Sequence, residues 1–471
     1  MNVKCDDKLS FDECELTIVR SAVSYIQNHQ GKKKLNTDTT RSIIRIVEDF
    51  ISKYNCICYG GTAINNILPK KHQFYNKNVE FPDYDVFTPN AIKYTKLLAN
   101  IFYESGFHDV EAKSGIHSGT YKIYVNFIPT IDITYIDPVL YSNLLKDSII
   151  KQNILYAPPN FLRMSMYLEL SRPNGNISRW EKITQRLSLL NKYFPIKHKR
   201  CSLQKSHFRN VKNTIEFNQI FDILMDLFIK KKVVFFGSFA FSFFMKSHPN
   251  SNHNRRKINK IPDFDILSEN ALELVESIQT TLSNNEYNVI ITHQKPFHEL
   301  IAKHYEIRID NTIVAIIYEP IACHSYNEVK YNKHKIRIAS IDTMLSYYLA
   351  FIYTNRDYFD VNRILCMCEY LFEIQQKNRL SQKGILKRFS MKCLGKQTTI
   401  EDIRSQKTLL YEKFHSNKQS PDYEKHFLRY IPRYKFIPHS SSLQTKKNKI
   451  TNKNRNKTSR NKFTRTEFTN T

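Results

Sequence analysis

Two stretches of this chain follow one pattern, and the repetition limits what the chain can fold into. Residues 56–63 read C-I-C-Y-G-G-T-A and residues 233–240 read V-V-F-F-G-S-F-A. Each is a short apolar run suited to a buried strand, then a glycine turn, then the first turns of a helix. Downstream, F-P-D-Y-D-V at 81–86 is matched by I-P-D-F-D-I at 261–266, and T-P-N-A at 88–91 by S-E-N-A at 268–271. The spacing is 23 positions from Gly60 to Asp83 and 26 from Gly237 to Asp263, with the extra residues in the polar loop at 250–260. A period this long is not that of a solenoid. Two copies of one domain are the direct reading.

The first copy carries the chemistry. A glycine turn that opens a helix points several backbone N–H groups at one spot, which suits a phosphate. Gly60, Gly61 and Thr62 occupy that turn. On a strand, Asp83 and Asp85 point to the same side. Like charges that close raise each other's pKa unless a cation lies between them. In T-I-D-I-T, Asp132 adds a third carboxylate on the polar face of an amphipathic strand. Three such groups beside a phosphate-binding turn suit two Mg²⁺ or Mn²⁺ ions. Two ions held there activate an attacking hydroxyl and stabilise a leaving pyrophosphate. In the second copy, T-I-V-A-I-I-Y-E-P at 312–320 aligns with T-I-D-I-T-Y-I-D-P at 130–138. That alignment puts Val314 in place of Asp132, while Ser238 replaces Gly61 and Phe239 replaces Thr62. The second copy therefore keeps the fold signal and loses a ligand.

The pattern G-G, D-x-D and a later Asp resembles the DNA polymerase beta-like nucleotidyltransferase superfamily. Y-G-G-T-A-I-N at 59–65, P-D-Y-D-V-F at 82–87, H-S-G-T-Y-K-I-Y-V-N at 117–126 and F-L-R-M-S-M-Y-L-E-L-S-R-P with R-W-E-K at 161–182 narrow it. Together they resemble the poly(A) polymerase catalytic subunit of large cytoplasmic DNA viruses, the poxvirus and asfarvirus type, over about 40–430. The resemblance implies an α+β fold with two tandem nucleotidyltransferase-like domains, each a mixed sheet with helices, the second degenerate. It implies transfer of AMP from ATP to the 3′-hydroxyl of RNA, with Asp83, Asp85 and Asp132 as metal ligands. It also implies action in the host cytoplasm, at the viral factory, or in the virion. Two alternatives stay open: a terminal transferase preferring another nucleotide, and a non-catalytic RNA-binding protein on this fold.

The formal net charge is +27, from 71 Lys and Arg against 44 Asp and Glu, so the partner is anionic and RNA leads. Arg163, Arg179, Lys182 and Arg186 could face a triphosphate or an RNA backbone, with Arg163 and Lys182 placed at the nucleotide. Trp180 among them either stacks on a base or packs a helix onto a core. Ser178 with Glu181 three residues on has capping-box spacing, which predicts a helix over 178–192. The loop at 115–121 reads either as a hairpin turn or as a contact to ribose or phosphate. Nine scattered cysteines lack zinc spacing and are expected to be reduced. No apolar run spans a bilayer, and the first residues show no secretory signal.

The expected organisation is N-terminal helices to residue 50, a catalytic domain with a helical extension over 51–200, a degenerate copy over 201–435 and a disordered basic tail over 436–471. Only 59 residues precede the first glycine turn, too few for the extra N-terminal domain of the poxvirus enzymes. Self-association as a homodimer is expected in place of their heterodimer.

Overall fold

The computed structural model describes residues 10–35, 38–75, 81–197, 215–247, 263–297, 300–356 and 358–433. The basic tail and residues 198–214 and 248–262 lie outside the described residues.

Among the described residues, sixteen short strands form two mixed sheets of eight. The first set is β1 (Ile57–Tyr59), β2 (Tyr84–Thr88), β3 (Val110–Ser114), β4 (Thr120–Val125), β5 (Ile128–Tyr135), β6 (Ile149–Lys151) and β7 (Ile154–Tyr156). The second is β8 (Val234–Phe235), β9 (Phe264–Leu267), β10 (Val289–Gln294), β11 (His304–Ile309), β12 (Thr312–Tyr318), β13 (His324–Tyr331) and β14 (His334–Ala339). Two additions follow, β15 (Cys393–Leu394) and β16 (Arg429–Tyr430). The sheets run β16-β3-β4-β5-β2-β1-β7-β6 and β10-β11-β12-β9-β8-β14-β13-β15. Without the additions, the seven-strand order is the same in both. The parallel pairs also match: β2 with β5 and β1 with β7, against β9 with β12 and β8 with β14. The duplication read from the glycine turns is thus a duplication of topology.

In the first sheet, alternation separates two faces. Tyr84, Val86, Tyr121, Ile123, Ile131 and Ile133 are buried beneath helices. Asp85, Lys122, Asp132 and Thr134 stand on the other, half-open face. This is the pattern of a sheet covered on one side. The helix that follows β7, Pro159–Leu170, packs on the helix that follows β14, Ile341–Phe351. Every residue of Ile341–Phe351 is buried. A helix buried all round needs neighbours on all sides, and it finds them between the two copies. Asn143 of the first copy also donates to the Tyr353 carbonyl at 2.9 Å.

Three expectations change. The stretch 201–435 does not belong wholly to the second copy: β16 pairs antiparallel with β3, so residues 429–430 complete the first sheet. The cysteines are not all reduced: Cys323 and Cys393 form a disulfide that ties β13 to β15, two strands already hydrogen-bonded side by side. Spacing could not reveal it, because 70 residues separate the pair. The capping box at Ser178 does not form. Ile177–Arg179 is a 3₁₀ turn, the helix begins at Trp180, and the Ser178 hydroxyl donates to Asn176 Oδ1 at 2.6 Å.

Candidate active site

The site is built where β1 ends. Tyr59 is extended, and Gly60 turns the chain with φ of +71°, a conformation that L side chains resist. The helix Gly60–Ile67 starts at once. A Cβ on Gly60 would stand 2.7 Å from Asp85 Oδ2. A Cβ on Gly61 would stand 2.7 Å from Tyr75 Oη and 2.9 Å from Arg186 Nη1. Gly60 is required by its positive φ, whereas a Cβ on Gly61 would displace the ends of two flexible side chains, Tyr75 and Arg186.

β2 and β5 run parallel with Asp85 directly opposite Asp132. Asp83, one step before β2, is exposed at the mouth. Burial, then the neighbouring Asp83 and Asp132 carboxylates, push the Asp85 carboxyl up to about 7. Burial also raises Asp132, although an ammonium pulls it the other way. That ammonium is Lys122 Nζ, from the adjacent β4, which donates to Asp132 Oδ2. Among the described residues no group of three His, Cys, Asp or Glu side chains closes on one point as a metal cage. The donor set still fits a hard divalent cation: it is all oxygen, its members repel one another, and a lysine cation already stands against one of them.

The other expected residues divide. Thr62 is buried and donates its hydroxyl to the Asp83 carbonyl at 2.6 Å. It anchors the aspartate strand to the turn instead of offering that proton to a phosphate. Arg163 was expected at the nucleotide and is fully buried. Its Nε donates to Asn191 Oδ1 at 2.6 Å, and its Nη atoms donate to Asn160 Oδ1 and the Phe194 carbonyl. It pins the helix Pro159–Leu170 to Trp180–Tyr193. Replacing Arg163 with Met leaves three half-buried acceptors without their donors and should cost about 3 kcal/mol. Urea denaturation reads that loss; an unchanged midpoint would show that the pin is dispensable.

Lys182 is exposed on Trp180–Tyr193, the helix that also carries Arg186. Arg186 reaches the turn: it lies over the Phe74 ring at 4.9 Å and donates to Tyr75 Oη at 2.5 Å. Arg179 pulls against the upward shift of Asp85, so its charge is felt at the carboxylates. Trp180 packs: its Nε1 donates to the Glu169 carbonyl at 3.1 Å and its ring lies 5.0 Å from Phe389. The 115–121 loop is the hairpin between β3 and β4, turned at Gly119 with φ of +80°.

Sequence reasoning missed Lys122, Tyr75 and Asn65. The Asn65 carboxamide oxygen accepts from the backbone N–H groups of Phe74 and Tyr75, each at 2.8 Å, and so seats Tyr75 against Gly61. The signal was there for two of them. Asn65 is a polar residue at a core position of a short helix, and Lys122 shares the alternation phase of Thr120 and Tyr124 in T-Y-K-I-Y-V.

The second copy shows what decay leaves. A parallel register puts Ile316, not Val314, opposite Asp265. The earlier alignment was therefore two residues out. The hairpin turns hold the right register: Asp132 is five residues past Phe127 and Ile316 five past Asn311, both left-handed turn residues. The conclusion stands with a different residue, since Ile316 is fully buried and aliphatic. Phe239, where Thr62 stands in the first copy, packs against Phe221, Phe235 and Phe264.

A glycine turn beside two in-register strands, one bearing D-x-D and one bearing Asp, defines a nucleotidyltransferase fold, and its strand order recurs in the second copy without the third Asp. The comparisons agree. Residues 45–176 match the family model described as "Poly(A) polymerase catalytic subunit". A putative poly(A) polymerase catalytic subunit of African swine fever virus (isolate Tick/Malawi/Lil 20-1/1983) is 31% identical over 180 residues, 37% of this chain and 38% of that one. The one from Acanthamoeba polyphaga mimivirus is 32% identical over 160 residues, 33% of this chain and 27% of that one. The match thus spans well under half the length of these relatives. The crystal structure of the Megavirus polyadenylate synthase superposes with a TM-score of 0.74 at 20% identity, covering 88% of this chain and 86% of that one. The resemblance read from the motifs is thus found in sequence over the first copy and in fold over most of the chain.

Proposed function

We propose that this chain is a template-independent polynucleotide adenylyltransferase, a poly(A) polymerase of a large DNA virus. The observation that carries the reading is the in-register pair Asp85 and Asp132 beside the Gly60 turn, present in the first copy and lost in the second. The RNA 3′-oxygen attacks the α-phosphorus of ATP, a new P–O bond forms, and the bond to the pyrophosphate oxygen breaks.

The residues divide this work. The N–H groups of the turn at Gly60 and Gly61 face the phosphates, and Arg186 beside them supplies positive charge. Asp83, Asp85 and Asp132 would hold Mg²⁺ or Mn²⁺. Bound there, two such ions supply activation of the hydroxyl and neutralisation of the leaving group. Thr62 and Asn65 keep the turn and the aspartate strand in place. The net charge of +27 favours a polyanionic acceptor over a small molecule. Selectivity for ATP rests on the family resemblance. The host cytoplasm, viral factory or virion is the compartment that resemblance suggests.

A primer-extension assay tests the proposal. A short oligoribonucleotide is incubated with each single NTP and either Mg²⁺ or Mn²⁺. Extension with ATP well above the other three is the expected result. Extension with another nucleotide would make it a terminal transferase of different preference. No extension, with RNA still bound, would make it a non-catalytic binding protein.

A further inference from the structure

A row of side chains crosses the first sheet at the level of the carboxylates. Arg429 of β16 is opposite Lys113 of β3, and Lys113 is opposite Lys122 of β4. Lys122 is opposite Asp132, and Asp132 is opposite Asp85. Directly paired residues share a face, so three cations lead from the sheet edge straight to the acids. At about 4.8 Å per strand, the row runs roughly 14 Å from Asp132 to Arg429.

On the other side of the acids lies β1, and β1 ends in the Gly60 turn. If that turn holds the triphosphate, the pyrophosphate leaves toward β1. In-line displacement puts the attacking oxygen on the opposite side of phosphorus, which here is β4, β3 and β16. We propose that Lys122, Lys113 and Arg429 form the track of a single-stranded phosphodiester chain whose 3′ end reaches Asp132. This rests on the reading of the Gly60 turn as the nucleotide side.

Two observations support it. The cations are open to solvent, with side-chain exposures of 36% for Lys122, 44% for Lys113 and 76% for Arg429. The second copy has no such row: Glu306 stands opposite Ile316 and Thr292 opposite Glu306. Glu306 is buried there, bonded by Gln294, Arg308 and Tyr358. The row is therefore peculiar to the copy that keeps the acids. One acid adjoins it. Glu111 accepts from Arg429 Nε at 3.1 Å and from Lys113 Nζ at 3.4 Å. A polyanion would compete with Glu111 for both cations. Lys113 also lies 4.2 Å above the Tyr124 ring, so a flat aromatic side chain borders the track.

The test uses the full chain without nucleotide. Binding of a 5′-labelled single-stranded oligoribonucleotide, and of its deoxy counterpart, is followed by fluorescence anisotropy across KCl concentrations. Lys113→Gln with Arg429→Gln should weaken both oligonucleotides about tenfold at low salt and flatten the salt slope by roughly 1.4. Glu111→Gln should tighten binding a few-fold, a gain that misfolding cannot mimic. Unchanged affinity and slope in the double variant, no gain from Glu111→Gln, or no binding by the parent chain would each overturn the track. If binding behaves as expected but no nucleotide is ever added, the track stands and the transferase reading falls.

Discussion

Asp83→Ala, Asp85→Ala and Asp132→Ala are each expected to reduce AMP transfer on the order of 10³-fold or more, while the metal-free protein stays folded. The loss follows from position. Asp85 and Asp132 are paired across β2 and β5, and Asp83 precedes them at the open mouth. The second copy offers no equivalent, because Ile316 stands opposite Asp265. Retained folding follows from the same crowding. Asp83 and Asp132 both push the Asp85 carboxyl upward, so deleting one acid relieves repulsion in the absence of cations. Asp132→Ala additionally frees Lys122, which is 36% exposed and finds solvent at once. Primer extension at saturating ATP, beside a thermal melt in EDTA, reads both halves. A variant that extends at the parent rate would remove that residue from the site, and a variant that melts early would make its carboxylate structural.

Changing both acids of the second copy, Asp263→Asn with Asp265→Asn, should leave AMP transfer within a few-fold of the parent chain and cost about 1–3 kcal/mol of stability. Asp263 and Asp265 are 1% and 8% exposed, so they are part of a packed interior where the first copy has a cleft. Ile316 occupies the place of the third ligand, and Phe239 fills the turn. A Cβ on Gly237 would lie 2.6 Å from the Asp265 Cβ, so the turn and the carboxylate strand have closed on each other. The matching change in the first copy, Asp83→Asn with Asp85→Asn, should abolish transfer. The comparison is made at equal folded fraction by circular dichroism. Equal loss in both double variants would mean that each copy contributes to chemistry.

Much of the site was legible before the fold was known because its signals are local. Gly60 has to turn the chain with positive φ, and the D-x-D spacing places Asp83 and Asp85 together through strand periodicity alone. The cations were harder. Arg163, Arg179, Lys182 and Arg186 look alike in a helical text, yet Arg163 is fully buried, Arg186 touches the turn and Lys182 is exposed on the helix surface. What separates them is the angle at which Trp180–Tyr193 lies against Pro159–Leu170, and one helical stretch contains no record of its neighbour.

By itself the sequence determined that the chain holds two copies of a nucleotidyltransferase pattern, that the first keeps its acids, and that the second has lost one. Those are properties of short segments, set by turn chemistry and side-chain periodicity. The tertiary structure decided which aliphatic residue replaced the missing acid, which lysine stands against Asp132, and that residues 429–430 close the first sheet. Each of these depends on register between strands far apart in the chain. Register is set by hairpin turns, by irregularities in the ladder such as those at Ile123 and Ile307, and by which edge is left to pair. A slip of two residues keeps the face and changes the partner, so periodicity cannot detect it.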